Sequence, residues 1–556
     1  MQRDEGMDRE LSARLEIHRR RFLGILAAGT GAVALAACSS NGGSDGADGA
    51  DTTTTRARTS TTRSATTTDE VPPATGIDSD PFLLGVASGD PLPTSVILWT
   101  RLITDLKDTT GTGGIGDGDL GVRWEVATDK GFTKVVASGV EPAPADLGRS
   151  VHVDVQDLEP GSWYWYRFRI GEHTSPVART RTAPANDAPV DKLVLAFASC
   201  QLRTAGNWTA YPHLVADGPD LIMFLGDYVY EYPGGSGDTA TTLTKEPQSL
   251  ADYRVLYADY KRDPKLQAAH AVAPWVVTWD DHEVENNYAG EVPEHEDDDT
   301  TFPDRRKAAY QAFWEHHPVR LDPPADDGSV KVYRTLRWGK LADIFVLDGR
   351  QYRSDQVCGD HVATNVQDCA EIDDEDHTML GKEQEAWLTD GLEGSEATWK
   401  VLAQQTVMYA LKLGDIVLNV DQWDGYPAAR RRLLGTIKDN DIENVVILTG
   451  DIHAAGAADI RYPDAGPTGP IVATEMVGTS ISSPGLAAAV GNIDLSPLGL
   501  LYANFENRGY SRCTVTPTTF RTDFVVVDTI DAATSPARVD ASVEVTAGQE
   551  GMRRLS

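Results

Sequence analysis

Basic side chains are scarce in this chain. Its 50 Lys and Arg face 84 Asp and Glu, which leaves a formal net charge of −34 and argues against nucleic acid as a partner. Most of that charge serves solubility, and it is compatible with bound cations. Long apolar runs are missing too. The stretch from Phe22 to Cys38 is short and laced with glycine, which argues against a membrane span and fits the h-region of a signal peptide. Between residues 39 and 70 apolar side chains are almost absent, so no core can form there and the segment reads as a disordered tether. Cysteine is rare, five residues in all, and each needs its own account.

What is present at the N-terminus is "HRRRFLGILAAGTGAVALAAC", from His18 to Cys38. Paired arginines followed by Phe-Leu resemble a twin-arginine export signal, and "LAAC" resembles a lipobox whose Cys38 is lipidated after cleavage; a plain Sec signal is the alternative. The chain is therefore read as exported, either a cell-surface lipoprotein or secreted. Its only membrane attachment is the anchor on Cys38, and the twin-arginine machinery is its transport partner. That route moves a folded protein, which suits one that takes up metal in the cytoplasm. The expected division is a signal peptide (1–38), a linker (39–78), a first domain (79–185) and a second (190–545). In an oxidising compartment Cys358 and Cys369, which flank "GDHVATNVQD", are expected to form a local disulfide contributing about 2–4 kcal/mol. Cys513, in "SRCTVTP", reads as a buried core thiol. Cys200 is left without a structural account.

Residues 82–183 are strand-rich and helix-poor. "SVILWTRL", "GVRWEVATD", "VHVDVQDL" and "GSWYWYRFRIG" alternate between turns of Gly, Pro and Asp, which predicts a small antiparallel β-sandwich of fibronectin-III-like kind. The alternating aromatics read as packing rather than as a binding surface. From Leu193 the pattern changes: "LVLAFASCQ", "DLIMFLGDYVY", "WVVTWDDHE", "ADIFVLDGRQYR" and "NVVILTGDIHAA" are apolar runs that finish in polar residues. Helical periodicity in "RRKAAYQAFWEHH" and "KEQEAWLTDGL" lies between such runs. Strands buried on both faces and alternating with helices predict an α/β layered domain whose strand ends converge on one site.

Those ends offer Cys200, Asp227 with Tyr230, Asp281 with His282, and Asp451 with His453. A lone Asp after a strand is usually a cap or a turn, but seven groups able to bind metal or move a proton at one sheet edge point to a centre. Order and spacing resemble the calcineurin-like metallophosphatases and, among them, the PhoD-type alkaline phosphatases. "FASCQ", "GDYVY", "WDDHE" and "GDIH" depart from the wider superfamily in the way that group does, and "LLGVASGDPLPTSVILWTRL", "LDGRQYR", "DQWDGYPAAR", "EMVGTSISSPG" and "NRGY" extend the likeness over nearly everything after residue 80. The resemblance implies an α/β four-layer metallophosphatase-type sandwich behind the β-sandwich domain.

Ligand chemistry can be argued beside it. Thiolate, phenolate and carboxylate together favour ferric iron over Mg²⁺, whereas oxygen ligands alone suit Ca²⁺. The resemblance implies Fe³⁺ on Cys200, Asp227, Tyr230, Asp451 and His453, with Asp227 bridging to one or two Ca²⁺ that Asp281 helps to bind. Asp280 and Asn287 are weaker candidates, and two Zn²⁺ or Mn²⁺ ions are the alternative. His282 is expected to orient neighbours or assist the leaving group, and Glu283 to orient. Arg350 and Arg353 either grip phosphate oxygens or form structural pairs with Asp348 or Asp355. The expected function is an exported phosphohydrolase cleaving phosphomonoesters, and also phosphodiesters, to release inorganic phosphate. A phospholipase D-type diesterase acting on phospholipids is the runner-up. A cell-surface binding module with a degenerate metal site is the alternative from another class.

Overall fold

The computed structural model describes residues 70–294, 300–359, 364–487 and 495–555. The signal peptide, Cys38 and most of the linker therefore lie outside the described residues. Two sheets pack face to face. The larger has ten strands, in the order Met552–Arg554, Ala537–Thr546, Thr519–Val527, Arg508–Val515, Leu193–Ala198, Leu221–Leu225, Trp275–Thr278, Val86–Leu92, Ser95–Arg101 and Ser150–Val155. The smaller has seven, in the order Arg334–Trp338, Ala342–Val346, Trp399–Ala403, Val445–Thr449, Ile471–Val477, Ala455–Arg461 and Tyr502–Asn504. "LVLAFA", "LIMFL" and "WVVT" run parallel at the heart of the larger sheet, with Leu221 beside Leu195 and Ile222 beside Trp275. All of their residues but Val194 are buried, as parallel strands covered on both faces require.

Leu195, Leu221 and Met223 meet Ile344, Val401 and Val446 in the core between the sheets. On the outer face of the larger sheet, helices Leu250–Lys261, Pro264–His270 and Phe302–His316 bring Tyr253, Leu266 and Phe313 against Phe224 and Val277. On the outer face of the smaller, Gly381–Glu393 and Pro427–Asp439 set Leu388 and Leu434 against Leu402 and Ile447. The result is the four-layer α/β sandwich expected from the sequence. The segment before the first of these helices is tied down: Ser249 caps it in a reciprocal box with Asp252, and Thr242 hydrogen-bonds the Asp259 carboxylate.

The N-terminal sandwich shares a layer with the four-layer body. One layer is the sheet built from Val135–Pro142, Gly121–Ala127, Trp163–Ile170 and His173–Thr174, with Ala178–Arg181 beside Trp163–Ile170. Its Val122, Tyr166 and Phe168 pack on Val96, Leu98 and Val153, which belong to the last strands of the ten-stranded sheet. The joint is Gly89, paired in parallel with Trp275. A Cβ at position 89 would sit 2.6 Å from the Trp275 carbonyl oxygen, so only glycine permits this approach.

Cys358 and Cys369 are bridged, Cα to Cα 5.8 Å, and Cys513 is a buried free thiol. The bridge closes a loop of 11 residues' separation, so replacing both cysteines by serine should lower stability by about 2–3 kcal/mol. An unchanged denaturant midpoint under oxidising conditions would sink this account. Among the described residues no helix is long and apolar enough to cross a membrane.

Candidate metal centre and active site

Both sheets deliver their parallel strands to the same edge, where Ser199 bridges Ser480. The chain turns abruptly there. Cys200, Asp227, Asp451 and His453 hold φ of 59°, 57°, 63° and 54°, a left-handed conformation that costs energy in any residue with a side chain. Glu283 provides one restraint. Its carboxylate accepts from the amides of Asp227 (3.1 Å), Tyr228 (2.5 Å) and Asp280 (2.7 Å), gathering two strand ends on one side chain. Burial raises its pKa to about 7 despite those bonds. The loop after Ile471–Val477 provides another: Ser483 Oγ donates to the Cys200 carbonyl at 2.9 Å and lies 2.8 Å from Tyr230 Oη.

Three overlapping sets of possible metal donors result. Cys200, Asp227 and His453 form one, Asp227, Asp281 and His282 another, and Asp227, Asp280 and Asp451 the third, each with donor atoms within 4.8 Å of one another. Tyr230 joins the first set, since its hydroxyl donates to Asp227 Oδ2 at 2.8 Å and is 3.0 Å from His453 Nε2. Asn287 contributes its backbone amide, which donates to Asp281 Oδ2 at 2.7 Å. Asp227 is common to all three sets.

These donors fit cations. Asp227 Oδ1, Asp280 Oδ2 and Asp281 Oδ1 are buried without a hydrogen-bond partner among the described residues, a costly arrangement unless something positive completes it. Burial and the neighbouring acids push Asp280 well above the usual carboxylate range, and Asp227 likewise even though His282 opposes the shift. Burial, Asp421 and Asp281 raise Asp451 to about 6. Burial and Asp227 also hold the Cys200 thiol and the Tyr230 phenol well above their ordinary values. Burial lowers His453 to about 4, leaving a neutral imidazole whose Nδ1 lies 2.8 Å from the Pro484 carbonyl. A site that resists ionisation of so many acids at once is relieved by metal ions, which compete with protons for the same atoms.

The arginines face inward. Arg350, fully buried, donates from Nε to Asp280 at 2.5 Å and from both terminal nitrogens to Asp421 at 2.7 Å. Arg353 donates to the same Asp421 at 2.6 Å and packs on Met379. Neither pairs with Asp348 or Asp355: Asp348 instead caps the backbone amides of Arg350 and Gln351. Sequence reasoning assigned no role to Asp421, to Gln422, whose amide holds Asp451 Oδ2 at 2.5 Å, or to Glu231, which lies 2.7 Å from His282 Nδ1. "DQWDGYPAAR" and the "EY" after "GDYVY" were their only signals.

A four-layer α/β fold that converges thiol, phenol, imidazole and carboxylate groups on its strand ends defines a protein with a candidate metal centre at the sheet edge. Comparison with known proteins gives the family. The PhoD-like phosphatase profile matches residues 195–524, and that of the PhoD-like phosphatase N-terminal domain matches residues 65–184. Alkaline phosphatase D of Bacillus subtilis (strain 168) is 42% identical over 498 residues, 88% of this chain and 84% of that protein. A solved structure described as that of PhoD superposes with a TM-score of 0.80 at 40% identity, covering 86% of this chain and 93% of that one. The chain belongs to the PhoD-like phosphatase family and is a phosphoric ester hydrolase.

Proposed function

We propose that this enzyme is an exported phosphatase that cleaves phosphomonoesters, and phosphodiesters as well, at a centre holding Fe³⁺ and Ca²⁺. The observation that carries the reading is Asp227, shared by three donor sets and keeping an unpartnered buried oxygen. Cys200, Tyr230, Asp451 and His453 supply with it the thiolate, phenolate, carboxylate and imidazole that suit ferric iron. Asp281, with Asp280 beside it, supplies oxygen for calcium. When bound, the cations offset charge on the phosphoryl group and on the attacking and leaving oxygens of an in-line displacement.

The chain's own groups do the rest. Glu231 fixes the His282 ring through Nδ1, leaving Nε2 to hand a proton to the departing oxygen. Glu283 keeps the Asp227 and Asp280 backbones in register. Arg350 and Arg353 act on Asp280 and Asp421 as positioning residues rather than as a phosphate clamp, because both guanidinium groups are buried against these carboxylates. Export rests on the paired arginines and "LAAC" of the N-terminal segment.

The test is elemental analysis of the mature protein together with product analysis. Iron with calcium, and phosphate released from p-nitrophenyl phosphate, is the expected result. Choline and phosphatidate from phosphatidylcholine, with no turnover of the monoester, would replace it by a phospholipase D-type activity. Zinc or manganese alone would overturn the ligand roles of Cys200 and Tyr230. With ferric iron on these two residues the purified protein should be coloured, and Tyr230→Phe should bleach or shift the visible band.

A further inference from the structure

Arg350 and Arg353 are turned inward onto carboxylates, and another arginine lies at the edge of the site. The loop after Ile471–Val477 leads to it. This loop touches the site at successive residues: Ser483 lies against Cys200 and Tyr230, and the Pro484 carbonyl is 2.8 Å from His453 Nδ1. The next residue, Gly485, carries the guanidinium of Arg508 on its backbone. A Cβ there would lie 2.5 Å from Arg508 Nη1, 2.7 Å from Nη2 and 2.6 Å from the Phe505 carbonyl oxygen. The Arg508 guanidinium thus lies against the residue next to the one whose carbonyl orients His453.

Arg508 differs from Arg350 and Arg353 in having no carboxylate partner among the described residues. Nη1 donates to the Glu506 carbonyl at 2.9 Å, Nε is buried without a partner, and no carboxylate pairs with the guanidinium among the described residues. Burial moves its pKa downward. A half-buried guanidinium with no carboxylate partner among the described residues is suited to an oxyanion. The position is held rather than incidental: Arg508 opens the strand Arg508–Val515, Gly509 N donates to the Ser480 carbonyl at 2.9 Å, and the Asn507 carbonyl accepts from Thr479 Oγ1 at 2.7 Å.

We infer that Arg508 binds a non-bridging oxygen of the substrate phosphoryl group, and of the phosphate product, at the His453 side of the metal centre. This rests on the phosphatase reading above and adds its substrate-binding arginine. The guanidinium also bears on specificity. A monoester dianion presents one more charged oxygen than a diester, so removing Arg508 should harm monoester hydrolysis more.

The experiment compares metal-loaded wild type with Arg508→Gln and Arg508→Lys. Binding of inorganic phosphate is followed by calorimetry after removal of excess ions, beside hydrolysis of p-nitrophenyl phosphate and of bis(p-nitrophenyl) phosphate. Arg508→Gln should weaken phosphate binding roughly 10- to 100-fold, raise KM with kcat within about threefold, lose more on the monoester than on the diester, and keep wild-type metal content. Arg508→Lys should fall between. Unchanged phosphate affinity in Arg508→Gln, or loss of its metal, would overturn the assignment. If Arg508→Gln does not fold, the lysine variant decides: several-fold weaker binding supports the contact and wild-type affinity overturns it. A wild type that binds phosphate but hydrolyses neither ester sinks the phosphatase reading, and the affinity ratio still judges Arg508.

Discussion

Asp227→Asn should lower kcat on p-nitrophenyl phosphate by on the order of 10³-fold or more while leaving the protein folded. Asparagine keeps the shape of the side chain and tolerates the left-handed backbone, φ 57°, at this position. If its carbonyl takes the place of Asp227 Oδ2 and accepts from Tyr230 Oη, its NH₂ group stands where the unpartnered Oδ1 now faces the donor sets. Three ligand sets then lose their common anion. The substitution also removes a buried acid beside Asp280 and Asp281, which with burial hold the Asp227 carboxyl well above its ordinary range. The metal-free variant should therefore melt at or above the temperature of the metal-free wild type, while the stabilisation that added metal gives the wild type largely disappears. Activity within fivefold of wild type with normal metal content would remove Asp227 from the centre.

The contrast between what this sequence discloses and what it hides follows the range of the forces involved. Cys200, Asp227, Asp281 and Asp451 were legible because each follows an apolar run that parallel packing makes almost uniformly hydrophobic. The helices at Phe302–His316 and Gly381–Glu393 were legible through their period. Partnerships between distant segments were not. Arg350 meets Asp421 across 71 positions, and His282 meets Glu231 across 51; no local spacing records such pairs. Arg350 and Arg353 were read either as gripping phosphate or as forming structural pairs with Asp348 or Asp355, and only the fold shows that Asp421 is the carboxylate both of them meet. The shared layer of the N-terminal sandwich was hidden for a similar reason. The alternation of "SVILWTRL" specifies a strand with a buried face, but the sheet it joins is decided at Gly89 and Trp275.

That buried arginine makes the second strong prediction. Arg350 compensates Asp280 and Asp421 directly and stands 3.7 Å from Asp281, with no water-exposed surface of its own. Removing one member of a buried charge network leaves its partners uncompensated, and the loss is typically about 3–5 kcal/mol. Arg350→Met should cost that much in denaturant unfolding and weaken metal retention as Asp280 and Asp281 lose their anchor. Taking out Asp421 as well should restore part of the stability, so Arg350→Met with Asp421→Asn should be less damaged than the two single changes predict together. The same cycle separates position from chemistry. If Arg350 serves catalysis only by holding Asp280, metal-saturated Arg350→Lys should recover most of kcat, because one ammonium can still meet Asp280. If it contacted substrate, lysine would leave KM for the monoester raised however much metal is supplied. Additive stability losses in the cycle, or a raised KM in the lysine variant, would show that the network is not the unit described here.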